Sequence, residues 1–135
     1  MVYIDTNVLV YASVEQDIAK KKKSLELLEK YANDGKLVLS TLTLQEFAFT
    51  LAKLKVDSEI IRKDSDFYMD FVSVEQDVFT LKKAIELCCS EDYCKNINDI
   101  IHLLLAEKSK CKMLITFDSD FKRLEQYSDV RVDVL

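Results

Sequence analysis

Short apolar runs alternate with longer amphipathic stretches along this chain, and that alternation predicts its fold class. Val2-Tyr3-Ile4 is a compact apolar run that stops at Asp5, and Val8-Leu9-Val10-Tyr11 opens a first helix beyond it. Within residues 17–33, Leu25, Leu27, Leu28 and Tyr31 recur at helical spacing among Lys and Glu, and Asp34-Gly35 supplies the stop. Leu37-Val38-Leu39 reads as a second strand, and Thr43 starts a helix with Phe47, Leu51 and Leu54 on one face. Residues 57–68 form a further amphipathic stretch, 71–74 a short strand and 78–89 another helix. The stretch 96–108 is the most apolar helix and is expected at the centre, because a helix apolar around most of its circumference must be buried. Met113-Leu114-Ile115-Thr116 is a buried strand, 120–124 a helical turn and 130–135 a last strand.

Strands alternating with helices imply an α/β architecture: a central parallel β-sheet flanked by α-helices in three layers, α/β/α. Right-handed crossovers put the C-terminal ends of such strands on one edge, where ligands bind. The 135 residues, 49% of them hydrophobic, suit one domain over 1–135 with a sizeable core. With 1 Gly and no Pro there is no flexible linker, so turns fall to Asn, Asp, Ser and Lys.

Charge narrows the partners. Nineteen basic against 24 acidic residues leave a net charge of −5, which disfavours generic nucleic-acid binding. Lys20-Lys21-Lys22-Lys23 is the one dense basic run and reads as a solvated helix face. Lys53, Lys55, Arg62 and Lys63 read as surface charge, with phosphate contact as the functional alternative. No leader pattern and no membrane-length apolar run is visible, so the expected setting is cytoplasmic, without membrane contact. Cys88, Cys89, Cys94 and Cys111 contain no C-x-x-C pair and the chain has 1 His, so they read as buried reduced thiols rather than a zinc site.

The candidate chemistry lies in four acids at strand-to-helix junctions: Asp5, Glu46, Asp99 and Asp118. Taken singly, each has a structural explanation. Thr43-Leu44-Gln45-Glu46 fits a capping box, Asp99 sits in a first helical turn, and Asp118 can cap the turn containing Phe121. Asp5 interrupts apolar sequence with no Lys or Arg nearby, and Thr6 and Asn7 are its local donors. Together the four would meet at one sheet edge. Without a cation they repel, and at least one tends to hold its proton; with a divalent ion, repulsion becomes ligation. Carboxylates without His or Cys ligands select a hard ion, Mg²⁺ or Mn²⁺.

Four segments carry a resemblance: Tyr3-Ile4-Asp5-Thr6-Asn7-Val8-Leu9, Leu44-Gln45-Glu46-Phe47, Asn98-Asp99-Ile100-Ile101-His102-Leu103 and Leu114-Ile115-Thr116-Phe117-Asp118-Ser119-Asp120-Phe121. In order and separation the chain resembles the PIN-domain ribonucleases, in particular the VapC-type toxins. The resemblance implies a metal-dependent endoribonuclease with Asp5, Glu46, Asp99 and Asp118 at the family's acidic positions. It further implies supporting roles for Asn7, Thr116 and Asp120, an RNA substrate, a small antitoxin partner, and a homodimer or higher homo-oligomer. Asp5, Asp99 and Asp118 would hold one Mg²⁺ or Mn²⁺, and Glu46 would position a second ion or the attacking water. His102 is expected to pack beneath the site, with ligation or proton transfer as the alternative.

Phe47, Phe49, Phe67, Tyr68 and Phe71 are candidates for core or for a groove taking a partner's amphipathic helix. In another class, the chain would be a catalytically silent PIN-like module binding RNA or protein. A phosphatase using an Asp nucleophile would want a second Asp just after the first, which Asp5-Thr6-Asn7 lacks.

Overall fold

The computed structural model describes residues 1–135. Its sheet has five strands: β1 (Val2–Ile4), β2 (Leu37–Ser40), β3 (Val72–Val74), β4 (Met113–Thr116) and β5 (Arg131–Val134). They lie in the order β3-β2-β1-β4-β5, and every pair is parallel. Six α-helices connect or follow them: α1 (Thr6–Ser13), α2 (Ile18–Asn33), α3 (Thr41–Lys53), α4 (Ser58–Met69), α5 (Val78–Ser90) and α6 (Ile97–Lys108). Cys94–Asn96 and Ser119–Tyr127 are 3-10 segments. No helix is long and apolar enough to cross a membrane.

Strand alternation sorts the core into two layers. Val2, Ile4, Leu37, Leu39 and Ile115 face α1 to α4, where Leu9, Phe47 and Leu51 are fully buried. Tyr3, Val38, Leu114 and Val132 face α5 and α6. Helix α6 is buried at each position from Ile100 to Ala106. Its apolar circumference is satisfied because the sheet, α5 and the 3-10 segment at Ser119–Tyr127 surround it. Truncating Leu103 to Ala there should cost about 2–5 kcal/mol.

Acids and hydroxyls start the helices. Asp5, Asp17, Ser40, Asp57 and Asp77 each accept a backbone N–H at the start of a helix. The turns use the residues that a glycine-poor chain must use: Lys55, Asp92 and Lys110 take left-handed conformations after α3, α5 and α6, as Gly35 does after α2.

Two sequence expectations change. Helix α3 starts at Thr41 rather than Thr43, with Ser40 as its cap, so the capping box at Glu46 does not form. Phe47 and Tyr68 are core residues, leaving Phe49 and Phe67 exposed and Phe71 half-buried. An apolar cleft of about 430 Å³ does lie between α2 and α4, lined by Leu25, Leu28, Phe67, Tyr68 and Phe71 among others.

Candidate active site

The strand order reverses direction between β1 and β4, and ligands in doubly wound sheets bind at such a switch point. Asp5 follows β1 there and Asp118 follows β4 with one residue between. Glu46 reaches the same edge from α3, and Asp99 from the first turn of α6. Sequence-distant acids thus converge. Asp99 feels the charges of Asp5 and Asp118, and Asp5 feels that of Glu46.

Asp5 is buried and caps α1, accepting the Thr6 N–H at 2.7 Å. Its other oxygen accepts from Thr116 Oγ1 at 2.8 Å. Thr116 Oγ1 in turn accepts from Asn7 Nδ2 at 3.1 Å and from the Asp118 N–H at 3.0 Å, while Asn7 Oδ1 accepts the Phe117 N–H at 3.1 Å. Asn7 therefore supports Asp5 through Thr116, not by the direct donation its position suggested. Burial pushes the Asp5 carboxyl up despite these bonds and the neighbouring His102.

Glu46 has both oxygens occupied. Oε1 accepts from Thr6 Oγ1 at 2.9 Å and from His102 Nε2, and Oε2 accepts from Asn98 Nδ2 at 3.1 Å. Burial works against its ionisation, but the His102 bond and charge, with Thr6 and Asn98, win and hold it below its ordinary value. His102 is 1% exposed and also lies 3.7 Å from Asp5 Oδ1. Burial disfavours its charge, yet Tyr3, Glu46 and Asp5 together raise it well above the ordinary imidazole value. That direction favours the charged ring, which lies between the two carboxylates and packs beneath the site as expected. Its Nδ1–H then donates to Tyr3 Oη at 2.7 Å, and Tyr3 sits 2.7 Å from Ser40 Oγ and 3.2 Å from Thr43 Oγ1.

Asp99 and Asp118 are barer. Asp99 accepts one bond, from the Tyr93 hydroxyl at 3.3 Å. Burial, followed by the charges of Asp5 and Asp118, pushes it up to about 6, so without a cation it holds its proton well above the ordinary carboxylate range. Asp118 caps the 3-10 segment through the Asp120 N–H at 2.9 Å. The Asp120 side chain is exposed.

The donor set suits a hard cation, because crowded carboxylates with few donors gain most from one. The cage is loose. No three of these carboxylates bring an oxygen each within 4.8 Å of one another, which fits an ion that retains water. Beside Asp118, Phe117 packs edge-on against Tyr11 at 5.0 Å, and Lys20 Nζ stands 4.7 Å from the Tyr11 ring centre and 5.3 Å from that of Phe117. One lysine of the basic run thus leaves the solvated face and sits at the site's rim.

Sequence reading missed the inner relay. The run Val2-Tyr3-Ile4 marks Tyr3 only as an apolar strand residue; its hydroxyl, which needs a partner when buried, is the available signal. The expected helix start at Thr43 assigns the cap to Thr43 and leaves Ser40, the actual cap, unmarked. The thiol reading needs correction too: Cys88 and Cys111 are buried, but Cys89 and Cys94 are exposed, and the sulfurs of Cys88, Cys89 and Cys94 cluster.

The fold is shared with two crystal structures. VapBC2 from Rickettsia felis, bound to a DNA fragment from its promoter, matches with a TM-score of 0.69 at 19% identity, covering 99% of this chain and 98% of that one. VapC20 of Mycobacterium tuberculosis, a toxin that cleaves the sarcin–ricin loop, matches with a TM-score of 0.73 at 16% identity, covering 97% and 99%. No curated protein matches by sequence. The PIN-domain family model matches residues 2–127, nearly the whole length over which the sheet and its acidic edge are built, and the chain belongs to the PIN-domain family.

Proposed function

We propose that this protein is a metal-dependent endoribonuclease acting as the toxin of a toxin–antitoxin pair. The observation that carries the reading is the convergence of Asp5, Asp99 and Asp118 at the switch point, with Asp99 pushed up to about 6 by burial and then by the charges of the other two. Membership in the PIN family and the fold shared with VapC toxins support a nuclease.

Asp5, Asp99 and Asp118 would hold one Mg²⁺ or Mn²⁺. When bound, that ion supplies Lewis acidity toward water and toward the phosphate oxygens of the scissile bond. Thr116 and Asn7 keep Asp5 in one rotamer. Glu46, with its oxygens already fixed by His102, Thr6 and Asn98, serves as an oriented acceptor for the attacking water more readily than as a ligand of a second ion. Asp120 stands on the rim in a supporting place. Tyr11, Phe117 and Lys20 form an aromatic and cationic shelf where an RNA base and phosphate can rest, offsetting the acidic net charge locally.

The apolar cleft between α2 and α4 suits the apolar face of a small antitoxin's helix. Exposed Phe49, Leu54 and Ile60 on and just after α3 and on α4 offer a surface for a second copy of the chain.

Incubation with mixed cellular RNA tests the reading. Cleavage should appear with Mn²⁺ or Mg²⁺, stop in EDTA, and be lost in Asp5→Asn. Cutting that survives EDTA defeats the metal mechanism. No cutting at all, with no divalent-ion rise in melting temperature, leaves the silent binding module as the better account.

A further inference from the structure

The end of α5 and the turn after it bring three thiols together. Asp92 takes φ 53°, which folds the chain back on the helix, and the Tyr93 N–H closes the turn on the Cys88 carbonyl at 2.7 Å. Cys94 Sγ then lies 3.0 Å from Cys88 Sγ and 3.6 Å from Cys89 Sγ. All three sulfurs fall within 4.8 Å of one another, and all are free thiols. Cys88 is buried at the base, while Cys89 and Cys94 open to solvent.

Such a cluster serves either oxidation or metal binding, and its surroundings favour the second. A thiol that senses oxidants is kept as a thiolate by a nearby cation or helix N-terminus. Here the thiols lie at a helix C-terminus, and the bonds among them hold Cys89 and Cys94 above their ordinary values. A soft cation reverses that balance by displacing the protons directly. Thiolates select Zn²⁺ or Cu⁺ over Mg²⁺ and Mn²⁺, so this cluster and the acidic edge would not compete for one ion.

We propose that Cys88, Cys89 and Cys94 form a second metal site, taking one thiophilic d¹⁰ cation, Zn²⁺ or Cu⁺, on three thiolates. Zinc–sulfur bonds of about 2.3 Å place sulfurs roughly 3.7 Å apart, a spacing that small rotations of the exposed Cys89 and Cys94 side chains supply. Water at the open side completes a zinc tetrahedron; Cu⁺ needs no fourth ligand. The bound ion clamps the turn to α5. That turn carries Tyr93, which donates to Asp99, and leads through Cys94–Asn96 directly into α6. The site therefore braces the segment that presents one of the four acids.

The test uses full-length reduced protein and Co²⁺ as a spectroscopic stand-in for Zn²⁺. One equivalent should produce a thiolate-to-cobalt charge-transfer band that Zn²⁺ abolishes by displacement. Zn²⁺, and Cu⁺ delivered from a competing chelator, should each shield Cys89 and Cys94 from iodoacetamide, with mass spectrometry as the readout. Shielding by one ion and not the other identifies the resident metal. Cys94→Ser should lose both band and shielding with its circular dichroism unchanged, and Cys89→Ser, also at an exposed position, repeats the test if Cys94→Ser fails to fold. Asp99→Asn should keep both, which separates this site from the carboxylate edge and lets it stand or fall independently of nuclease activity. Absence of band and of shielding by either ion overturns the proposal. So does a band that survives Cys94→Ser, or a Cys88–Cys94 disulfide forming in air in protein that binds neither ion when reduced.

Discussion

The inner and outer halves of the acidic edge are built on opposite principles. Asp5 and Glu46, the inner pair, are wrapped in donors: Thr6, Thr116, Asn98 and the buried imidazolium of His102. Asp99 and Asp118, the outer pair, have one weak hydroxyl bond and one role as an N-cap between them. The inner half is organised by the protein's own donors, without an ion. The outer half holds charges whose repulsion nothing in the protein fully offsets. A site made this way fixes its geometry from within and leaves binding energy to be gained at its mouth.

The largest expected effect comes from breaking the inner half. His102→Ala leaves the buried Asp5 and the half-buried Glu46 without their cation, and should destabilise the fold by about 2–4 kcal/mol in urea unfolding. His102→Gln keeps a donor and should recover part of that loss. If alanine costs less than about 1 kcal/mol, the imidazolium is not what holds Asp5 and Glu46 together.

Asp99→Asn tests the outer half, with the opposite sign. The folded-state value of about 6 lies above the unfolded one, so the protonated carboxyl's stability is fully present below about pH 4 and is lost as pH rises through 6. Metal-free Asp99→Asn should therefore be more stable than the parent at pH 7–8, on the order of 1–2 kcal/mol after discounting for partial exposure, with the gap closing near pH 4. Saturating Mn²⁺ should reverse that order, because the parent gains a ligand-bound state and the variant does not. A gap independent of pH would mean that Asp99 is not crowded by Asp5 and Asp118.

How far the sequence carried this contrast depends on what each residue had to reveal. Asp5 and Asp118 stood out because they follow apolar runs that become strands, and a parallel sheet brings such junctions to one edge; Glu46 lies inside α3 and Asp99 in the first turn of α6, which follows α5 rather than a strand. Helix α6 announced its burial through its apolar circumference. Asp118 needed nothing more to be read, whereas Asp99 reaches the edge only through the packing of α6 beside the sheet. The inner half needed more, because its partners are hydroxyls inside apolar strands or at helix starts. Tyr3 looks like a hydrophobic strand residue until its hydroxyl is counted, and Ser40 looks like a strand end until it caps α3. Glu46 satisfied a local capping pattern that a two-residue shift of the helix start removed; tertiary bonds to Thr6, Asn98 and His102 took its place. The cysteines escaped motif reading because Cys88, Cys89 and Cys94 meet only through the turn at Asp92.

Smaller effects sharpen the same boundary. Tyr3→Phe removes the hydroxyl that accepts from His102 and should lower nuclease activity by roughly 10–100-fold, as lost supporting bonds around metal ligands do. Asp120→Asn, on the exposed rim, should weaken cleavage far less than Asp99→Asn. Equal losses from the Asp120 and Asp99 variants would redraw the line between the ion's holders and their surroundings.

The central claim is that Asp5, Asp99 and Asp118 together hold one hard divalent ion. Titration of metal-free protein with Mn²⁺, read by the loss of the free-ion electron paramagnetic resonance signal, tests it most directly, with Cys94→Ser as the background so that thiols take no part. One Mn²⁺ bound per chain, displaced by excess Mg²⁺ and lost in both Asp99→Asn and Asp118→Asn, is the predicted result. Binding that survives both substitutions, or no binding to the unsubstituted acidic edge, contradicts it.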